Sequence, residues 1–178
     1  MRRQYVDAPR VLRPEDFLVL QDSRERAPWD LRPLRVEVAT LATADYSIRG
    51  LEDLVAVERK TLLDLVACCG SARERFEREL DRLRAYPHRC VVVEASWAEI
   101  GAGGWPGVVS PAAVMSSIAS WTAEGIPFVM AGDRQGAADY AKRFLMAVAR
   151  HAHGRLRAFA DQLAPTAATP ERKEVVVW

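Results

Sequence analysis

The segment Cys90–Val93 constrains the fold most, because it is an unbroken apolar run inside a predicted strand. A strand without polar alternation is typical of a sheet that is covered by helices on both faces. The preceding residues, 72–85, have the apolar spacing of a single helix face, with Phe76, Leu80 and Leu83 in line. The chain is therefore predicted to be an α/β protein with a buried central strand.

The rest of the chain alternates between strand and helix patterns. Four further strands are predicted, at 17–20, 34–41, 54–60 and 126–130, and further helices at 62–70, 111–124 and 134–148. The predicted helix caps are Thr61, Ser71, Ser110 and Asp133. Pro127 favours an edge position for the last strand. This order predicts an α/β fold in which helices flank a sheet of about five strands.

Composition narrows the class of protein. The chain has 178 residues, is 49% hydrophobic and lacks a long uninterrupted apolar run, which excludes a mostly disordered or membrane-spanning chain. Its three cysteines include no Cys-x-x-Cys pair and are predicted to be reduced, and no signal peptide is apparent, so we expect a cytoplasmic protein. The predicted organisation is an N-terminal arm at 1–16, one domain at 17–150 and a C-terminal tail at 151–178.

Charge is distributed unevenly although the net charge is only +1. Residues 36–133 contain nine basic and fourteen acidic side chains, whereas both flanking segments carry more basic than acidic ones. An acidic centre between basic flanks fits a metal-dependent enzyme that acts on a polyanion. Modest asymmetry of this kind is also common in proteins with neither property.

The pattern with the clearest chemistry is Asp45, separated by twelve residues from Glu58-Arg59-Lys60. Glu58 and Lys60 would share one face of a strand, about 6.6 Å apart along it. Carboxylates are suited to hold Mg²⁺, and the Lys60 ammonium could orient or deprotonate the attacking water and stabilise negative charge on a phosphate. The alternative is a solvated charge run, which is how we interpret the second copy of the tripeptide at 171–173.

The surrounding motifs add to this pattern. Asp22-Ser23-Arg24-Glu25 follows the first predicted strand, Thr43-Ala44-Asp45-Tyr46 precedes the third, and Glu58-Arg59-Lys60 is followed by Asp64. In this order the chain resembles the nuclease domain of the XPF family, structure-specific DNA endonucleases of the restriction-like PD-(D/E)XK superfamily, with the hallmark G-D-x(n)-E-R-K-x3-D. The resemblance runs from about residue 17 to 148, and bacterial and phage members look closest.

The resemblance implies a restriction-endonuclease-like fold with a central mixed sheet flanked by helices, a metal site and a catalytic lysine. It implies that Asp45, Glu58 and the main-chain carbonyl of Arg59 bind Mg²⁺ or Mn²⁺, and that Lys60 is catalytic. Supporting catalytic positions are matched by Asp22, Glu25, Arg59 and Asp64, with Asp22 a further candidate metal ligand and Arg24 and Arg75 candidate DNA contacts. Asp64 would pair with Arg59 or Lys60, or would act only as a favourable acid in the first turn of its helix.

Two departures from the family pattern stand out. The glycine before the catalytic aspartate is Ala44 here, which would be strained if that position requires a positive φ and harmless otherwise. After residue 148 only thirty residues remain, too few for the helix-hairpin-helix module of many family members. DNA would then be held by the nuclease domain itself, by a second copy in a homodimer or by a different partner protein.

The leading prediction is a magnesium-dependent endonuclease that hydrolyses DNA phosphodiester bonds at branched or flapped structures in repair, recombination or replication. The alternative in another class is a catalytically inert restriction-fold scaffold for DNA binding or dimerisation. A recombination or restriction nuclease of the same superfamily would share the chemistry and differ in the DNA it recognises. The presence of Asp45, Glu58 and Lys60 together favours an enzyme.

Overall fold

The computed structural model describes residues 11–163 and contains one six-stranded sheet within that range. The strands are β1 (Leu18–Asp22), β2 (Arg35–Ala39), β3 (Tyr46–Ile48), β4 (Val55–Thr61), β5 (His88–Glu94) and β6 (Phe128–Met130). The helices are α1 (Leu62–Cys68), α2 (Arg73–Leu83), α3 (Trp97–Ala102), α4 (Pro111–Ala123) and α5 (Arg134–Leu163), after a short 3-10 helix at Pro14–Asp16. None of these helices is long and apolar enough to cross a lipid bilayer.

The sheet is mixed, with the order β2-β1-β3-β4-β5-β6. Strand β3 is antiparallel to both of its neighbours, whereas the pairs β1–β2, β4–β5 and β5–β6 are parallel. The start of β3 therefore lies at the same edge of the sheet as the ends of β1 and β4. Asp45, just before β3, is brought by this reversal to the ends of the strands that carry Asp22 and Glu58.

Two apolar layers hold the sheet between helices, as the α/β prediction requires. On one face, Val57 and Val92 pack with Ala141 and Leu145 of α5. On the other face, the alternate strand residues pack against α1, α2 and α4, in a cluster that includes Ala56, Val91, Phe76, Ile118 and Trp121. The run Cys90–Val93 is fully buried, which confirms the prediction of a strand covered on both faces.

The predicted elements are found with shifts at their ends, of which the largest is the extension of α5 to Leu163, and the structure adds two elements. Strand β3 is only three residues long and buried throughout, so it has neither the length nor the alternation that identifies a strand. Helix α3 begins at a capping box between Ser96 and Glu99, a signal that is present in the sequence. The predicted mixed sheet is therefore confirmed, with six strands instead of about five.

The predicted ends of helices are mostly confirmed. Thr61 and Ser110 accept hydrogen bonds from the first turns of α1 and α4, and Asp133 accepts one from Gly136. The prediction for Ser71 is wrong, because Ala72 occupies the N-cap of α2 and no side chain caps it. Strand β6 lies at the sheet edge, as Pro127 indicated.

The predicted organisation into arm, domain and tail is only partly covered by the described residues. Helix α5 continues through the predicted boundary at residue 150 and ends at Leu163. Residues 1–10 of the arm and 164–178 of the tail, including the second Glu-Arg-Lys copy, lie outside the described range. The boundaries remain predictions.

Candidate active site

A polar cleft of about 440 Å³ opens at the sheet edge where β1 and β4 end and β3 begins. Its lining includes every predicted site residue except Arg75, namely Asp22, Arg24, Glu25, Asp45, Glu58, Arg59, Lys60 and Asp64. It also includes Glu79, Arg26 and Arg82, which the sequence analysis did not assign to the site. The topology thus brings together residues that lie far apart along the chain.

Asp45 is fixed by the backbone of β4. Its N–H donates to the carbonyl of Val57 at 3.1 Å, and its Oδ2 accepts the N–H of Arg59 at 2.8 Å. Burial is the main cause that raises the pKa of Asp45 to about 6, with the nearby carboxylate of Glu25 acting in the same direction. The carboxylate is therefore held against the end of β4.

Glu58 is a deeply buried carboxylate of the cleft, with 4% of its side chain exposed. Oε1 accepts a hydrogen bond from Lys60 Nζ, whereas Oε2 is buried and has no hydrogen-bond partner among residues 11–163. A buried carboxylate oxygen without a partner is costly unless a cation or proton compensates it. Burial accordingly raises the pKa of Glu58 to about 8, against the opposing effect of Lys60.

Lys60 lies between two carboxylates and an aromatic ring. Its Nζ contacts Glu58, is 3.6 Å from Glu79 Oε2 and lies 4.9 Å from the centroid of the Phe76 ring. Burial disfavours the charged amine, but the carboxylates of Glu58 and Glu79 outweigh it and raise the pKa of Lys60. The lysine is thus a buried ammonium in this state of the cleft.

Asp22 lies in the cleft but uses both of its oxygens in protein hydrogen bonds. Oδ1 accepts from the backbone N–H and Nε of Arg24 at 2.8 and 2.7 Å. Oδ2 accepts from Arg24 Nη2 at 3.0 Å and from the N–H of Leu41 at 2.7 Å. The Arg24 side chain is the main cause that lowers the pKa of Asp22. Since a carboxylate accepts about four hydrogen bonds, this one is saturated. It therefore ties the end of β1 to the segment after β2.

Arg59 points to the opposite face of β4 from Glu58 and Lys60, because side chains alternate along a strand. Its guanidinium forms a bidentate pair with Glu94, at 2.8 and 3.0 Å, and lies 3.5 Å from Glu25. Glu94 also accepts from Trp29 Nε1 at 2.7 Å and from Arg134 at 3.3 Å. Glu94, at the end of β5, is the centre of this network, and the sequence analysis did not single it out.

Glu94→Gln is expected to destabilise the protein by about 3 kcal/mol, the cost of removing one member of a buried ion pair. The glutamine amide would place its own N–H groups against the N–H groups of Arg59 and Trp29, whose hydrogen bonds the carboxylate now accepts. Thermal or urea unfolding would measure the change, with Glu77→Gln as the control because its pair with Arg73 is exposed. Equal unfolding free energies for the two variants would contradict the role given to Glu94.

Asp64 does not form the predicted pair with Arg59 or Lys60. Its Oδ2 accepts the hydroxyl of Thr61 at 2.6 Å, and its own N–H donates back to Thr61 Oγ1. The residue is exposed in the first turn of α1, where an acid also interacts favourably with the helix dipole. The structure thus agrees with the second interpretation, that of a first-turn acid.

The predicted DNA contacts are placed differently. Arg24 lines the cleft, and 68% of its side chain is exposed even though it pairs with Asp22. Arg75 is exposed on α2 but does not line the cleft, so its role remains a prediction. Arg26 and Arg82 add two further guanidinium groups at the cleft. Trp29 is buried and stacks on Tyr46, with ring centroids 5.0 Å apart, so it is a packing residue.

Ala44 has a φ of 64°, in the left-handed region that favours glycine. This decides between the two alternatives left by the sequence, because alanine in this conformation costs about 1–2 kcal/mol relative to glycine. The strained residue lies directly before Asp45, at the position where the family hallmark has glycine. The backbone conformation is therefore adopted here without its usual residue.

Ala44→Gly is expected to stabilise the protein by about 0.5–1 kcal/mol, because relief of strain exceeds the loss of one methyl group and the added freedom of the unfolded chain. Ala44→Val is expected to destabilise it by more than 1 kcal/mol, since a β-branched residue tolerates this φ poorly. Chemical denaturation of both variants measures the difference. A valine variant as stable as the parent would show that residue 44 does not adopt the left-handed conformation.

The donor set fits a hard divalent cation. Asp45 and Glu58 supply carboxylate oxygens, one of them buried without a partner, and the backbone carbonyl of Arg59 lies between Glu58 and Lys60 in the chain. Mg²⁺ prefers oxygen ligands and commonly binds through one or two carboxylates with several waters. Within residues 11–163, no three His, Cys, Asp or Glu side chains are grouped closely enough to hold a metal by themselves. A site here would therefore combine two carboxylates with the carbonyl and water.

Comparison with known proteins identifies the family and the fold of this chain. The family model described as the ERCC4 domain matches residues 10–144, most of the chain. The solved structure of XPF from Aeropyrum pernix superposes with a TM-score of 0.60 at 20% identity, covering 75% of this chain and 62% of that chain. The same protein in complex with DNA superposes with a TM-score of 0.57 at 22% identity, covering 75% and 64%.

These structures establish the likeness of fold, and the chain spans less than two thirds of their length. The search of curated proteins gives no match. The matched range contains all the residues that line the cleft and the whole sheet. The chain belongs to the ERCC4 domain family, the XPF nuclease family.

Proposed function

We propose that this protein is a divalent-metal-dependent endonuclease that hydrolyses phosphodiester bonds of branched or flapped DNA. The observation that carries the proposal is the convergence of Asp45, Glu58 and Lys60 in one cleft, with Glu58 Oε2 buried and unpartnered among the described residues. An inert scaffold has no need of a buried carboxylate that costs folding free energy. Membership of a nuclease family, and a structural neighbour solved in complex with DNA, support the same function.

The proposed cation, Mg²⁺ or Mn²⁺, would be held by Asp45, Glu58 and the main-chain carbonyl of Arg59. When bound, it would polarise the phosphate and increase the acidity of a water molecule. Asp22 is left out of the ligand set because its oxygens are already saturated by Arg24 and Leu41.

The basic residues of the cleft have tasks that follow from their contacts. Lys60 places an ammonium beside the carboxylates, where it can orient the attacking water and stabilise charge that develops on the phosphate. Arg59 fixes the end of β4 through Glu94 and holds Asp45 with its N–H. Arg24 and the other guanidinium groups of the cleft would contact DNA phosphates and position the duplex.

The nuclease unit is proposed to span residues 17–150. Since DNA is much longer than the cleft, we propose that a second copy of the chain or a different protein holds the rest of the substrate. The free cysteines Cys68, Cys69 and Cys90 are compatible with a reducing compartment, and an intracellular location remains a prediction.

The test is incubation of the protein with fork, flap and four-way-junction DNA and with linear duplex of the same sequence, in Mg²⁺ and in EDTA. The proposal predicts cleavage of the branched substrates that requires the metal. Binding without cleavage of any of these DNAs would favour the inert scaffold, and equal cleavage of linear duplex would remove the branched-DNA part of the proposal.

Metal-induced stabilisation should depend on pH. The pKa values of Asp45 and Glu58 are raised to about 6 and about 8, mainly by burial. Because these pKa values are higher in the folded than in the unfolded chain, the protonated carboxyls stabilise the metal-free protein. That stabilisation is fully present below about pH 4 and is lost as pH rises through 6 to 8. A divalent cation binds the ionised carboxylates. Mg²⁺ should therefore raise the melting temperature by several degrees at pH 8.5, where about 1–2 kcal/mol is regained, and hardly at pH 5.5.

Differential scanning calorimetry with and without 10 mM Mg²⁺, about the concentration that saturates typical sites, would measure this pH dependence. A metal-induced shift of the same size at both pH values would contradict the assignment of these two carboxylates as ligands. The control for general charge effects is Glu124→Gln, which removes an exposed carboxylate that pairs with Arg84. This variant should show the same Mg²⁺-induced shift as the parent protein.

A further inference from the structure

Glu79 is a carboxylate at the cleft that has no task in the proposed function. It projects from α2, three residues after Phe76, so the two side chains lie on the same helix face. Its side chain is 28% exposed, and its Oε2 lies 3.6 Å from Lys60 Nζ. Among residues 11–163, Lys60 is the one cationic group within ion-pair distance of Glu79.

The surroundings of Lys60 explain why a second carboxylate matters. The ammonium is bonded to Glu58, the residue that we propose as a metal ligand. A divalent cation and an ammonium compete for the same carboxylate, and they also repel each other. Lys60 is 12% exposed, so it cannot exchange Glu58 for bulk water at low cost.

Glu79 and Phe76 form the other side of the lysine's environment. The ring centroid of Phe76 is 4.9 Å from Nζ, and the ring itself is held by edge contacts with Trp121 and Phe128. A rigid aromatic face and a partly exposed carboxylate can keep an ammonium in place when its first partner is taken.

We propose that Glu79 is a positioning residue that retains Lys60 at the cleft when a divalent cation occupies Glu58. The inference rests on the proposed metal dependence, and it adds Glu79 of α2 to the group formed by Asp45, Glu58 and Lys60. Without Glu79, Lys60 would depend on Glu58 alone. The lysine would then compete more strongly with the cation, and cation binding would weaken.

The test is Mn²⁺ affinity, measured by electron paramagnetic resonance on the full chain without DNA. Glu79→Gln is expected to weaken Mn²⁺ binding about three- to tenfold, a range between exposed and buried ion pairs. The control is Glu77→Gln on the same helix, which removes the same charge from an exposed pair with Arg73 and should leave the affinity unchanged.

A Lys60→Met background separates positioning from direct ligation. If Glu79 acts through the lysine, Glu79→Gln changes Mn²⁺ affinity in the parent but not in the Lys60→Met protein. A loss of the same size in both backgrounds would overturn the proposal, because Glu79 would then act on the cation itself. Circular dichroism and melting temperature confirm that each variant is folded.

The remaining outcomes separate this inference from the function on which it rests. Mn²⁺ binding that is equal in the parent and in Glu79→Gln would overturn the role of Glu79 and leave the metal site standing. A parent protein that binds no Mn²⁺ at pH 8 would overturn both. In cleavage assays, the proposal predicts a lower kcat for Glu79→Gln that saturating metal restores in part, with KM for DNA unchanged.

Discussion

Lys60→Met should lower the rate of DNA cleavage by about 10²–10⁴-fold, the contribution of a group that transfers a proton or stabilises transition-state charge. Methionine keeps most of the length of the side chain and its packing against Phe76, but it removes the ammonium. The affinity for DNA should change little, because only 12% of the lysine side chain is exposed. Single-turnover cleavage and fluorescence anisotropy in Ca²⁺ would measure the two quantities.

The chain supplies a matched control in Lys142, which lies on α5 and pairs with Asp139. Lys142→Met removes the same charge and should cleave DNA at the parental rate. Equal cleavage by the Lys60→Met and parent proteins would exclude Lys60 as a catalytic residue. Loss of DNA affinity together with cleavage would instead assign the lysine to binding.

Glu58→Gln is expected to lower cleavage by about 10³-fold or more, because loss of a metal worth several kcal/mol acts on the transition state directly. Glutamine has the same shape and can still accept a hydrogen bond from Lys60, so packing is retained. Neutralising a buried acid with a raised pKa also removes a desolvation cost at pH 8. We therefore expect the variant to fold and to lose the stabilisation by Mg²⁺.

Calorimetry and cleavage assays on the same preparation would test both parts of this prediction. A Glu58→Gln protein that retains the parental shift in melting temperature with Mg²⁺ would show that the cation binds elsewhere. Glu124→Gln, on the exposed surface next to Arg84, should behave as the parent does in both assays.

The sequence was sufficient to predict the site residues that lie next to each other on one strand. Glu58 and Lys60 are two positions apart, so any strand places them on one face, and the structure puts them in contact. The order of strands and helices also predicted an α/β sheet with helices on both faces. The antiparallel β3 was missed because three buried residues carry no periodic signal.

Residues that act across the fold were harder to predict. Glu79 is one of several acids on a charged helix, and only the packing of Phe76 under Lys60 selects it. Glu94 is the last residue of β5, and it accepts hydrogen bonds from Arg59, Trp29 and Arg134. The residues next to Glu94 in the sequence do not indicate these contacts, because all three partners are distant along the chain.

Local backbone chemistry accounts for the other differences. Asp64 bonds to Thr61, three residues away, and so does not reach across the cleft. Asp22 is saturated by Arg24, two residues along the chain, and by Leu41. The strain at Ala44 depends on a φ angle that the residue type alone does not determine. In each case the decisive quantity is a contact or a torsion angle fixed by the fold.

The proposed function depends on a divalent cation bound by Asp45, directly before β3, and by Glu58 on β4. Its most direct test is an anomalous difference map from a crystal of the protein grown with Mn²⁺. We expect an anomalous peak in contact with the carboxylates of Asp45 and Glu58. Full Mn²⁺ occupancy at any other position, with these two carboxylates free of metal, would contradict it.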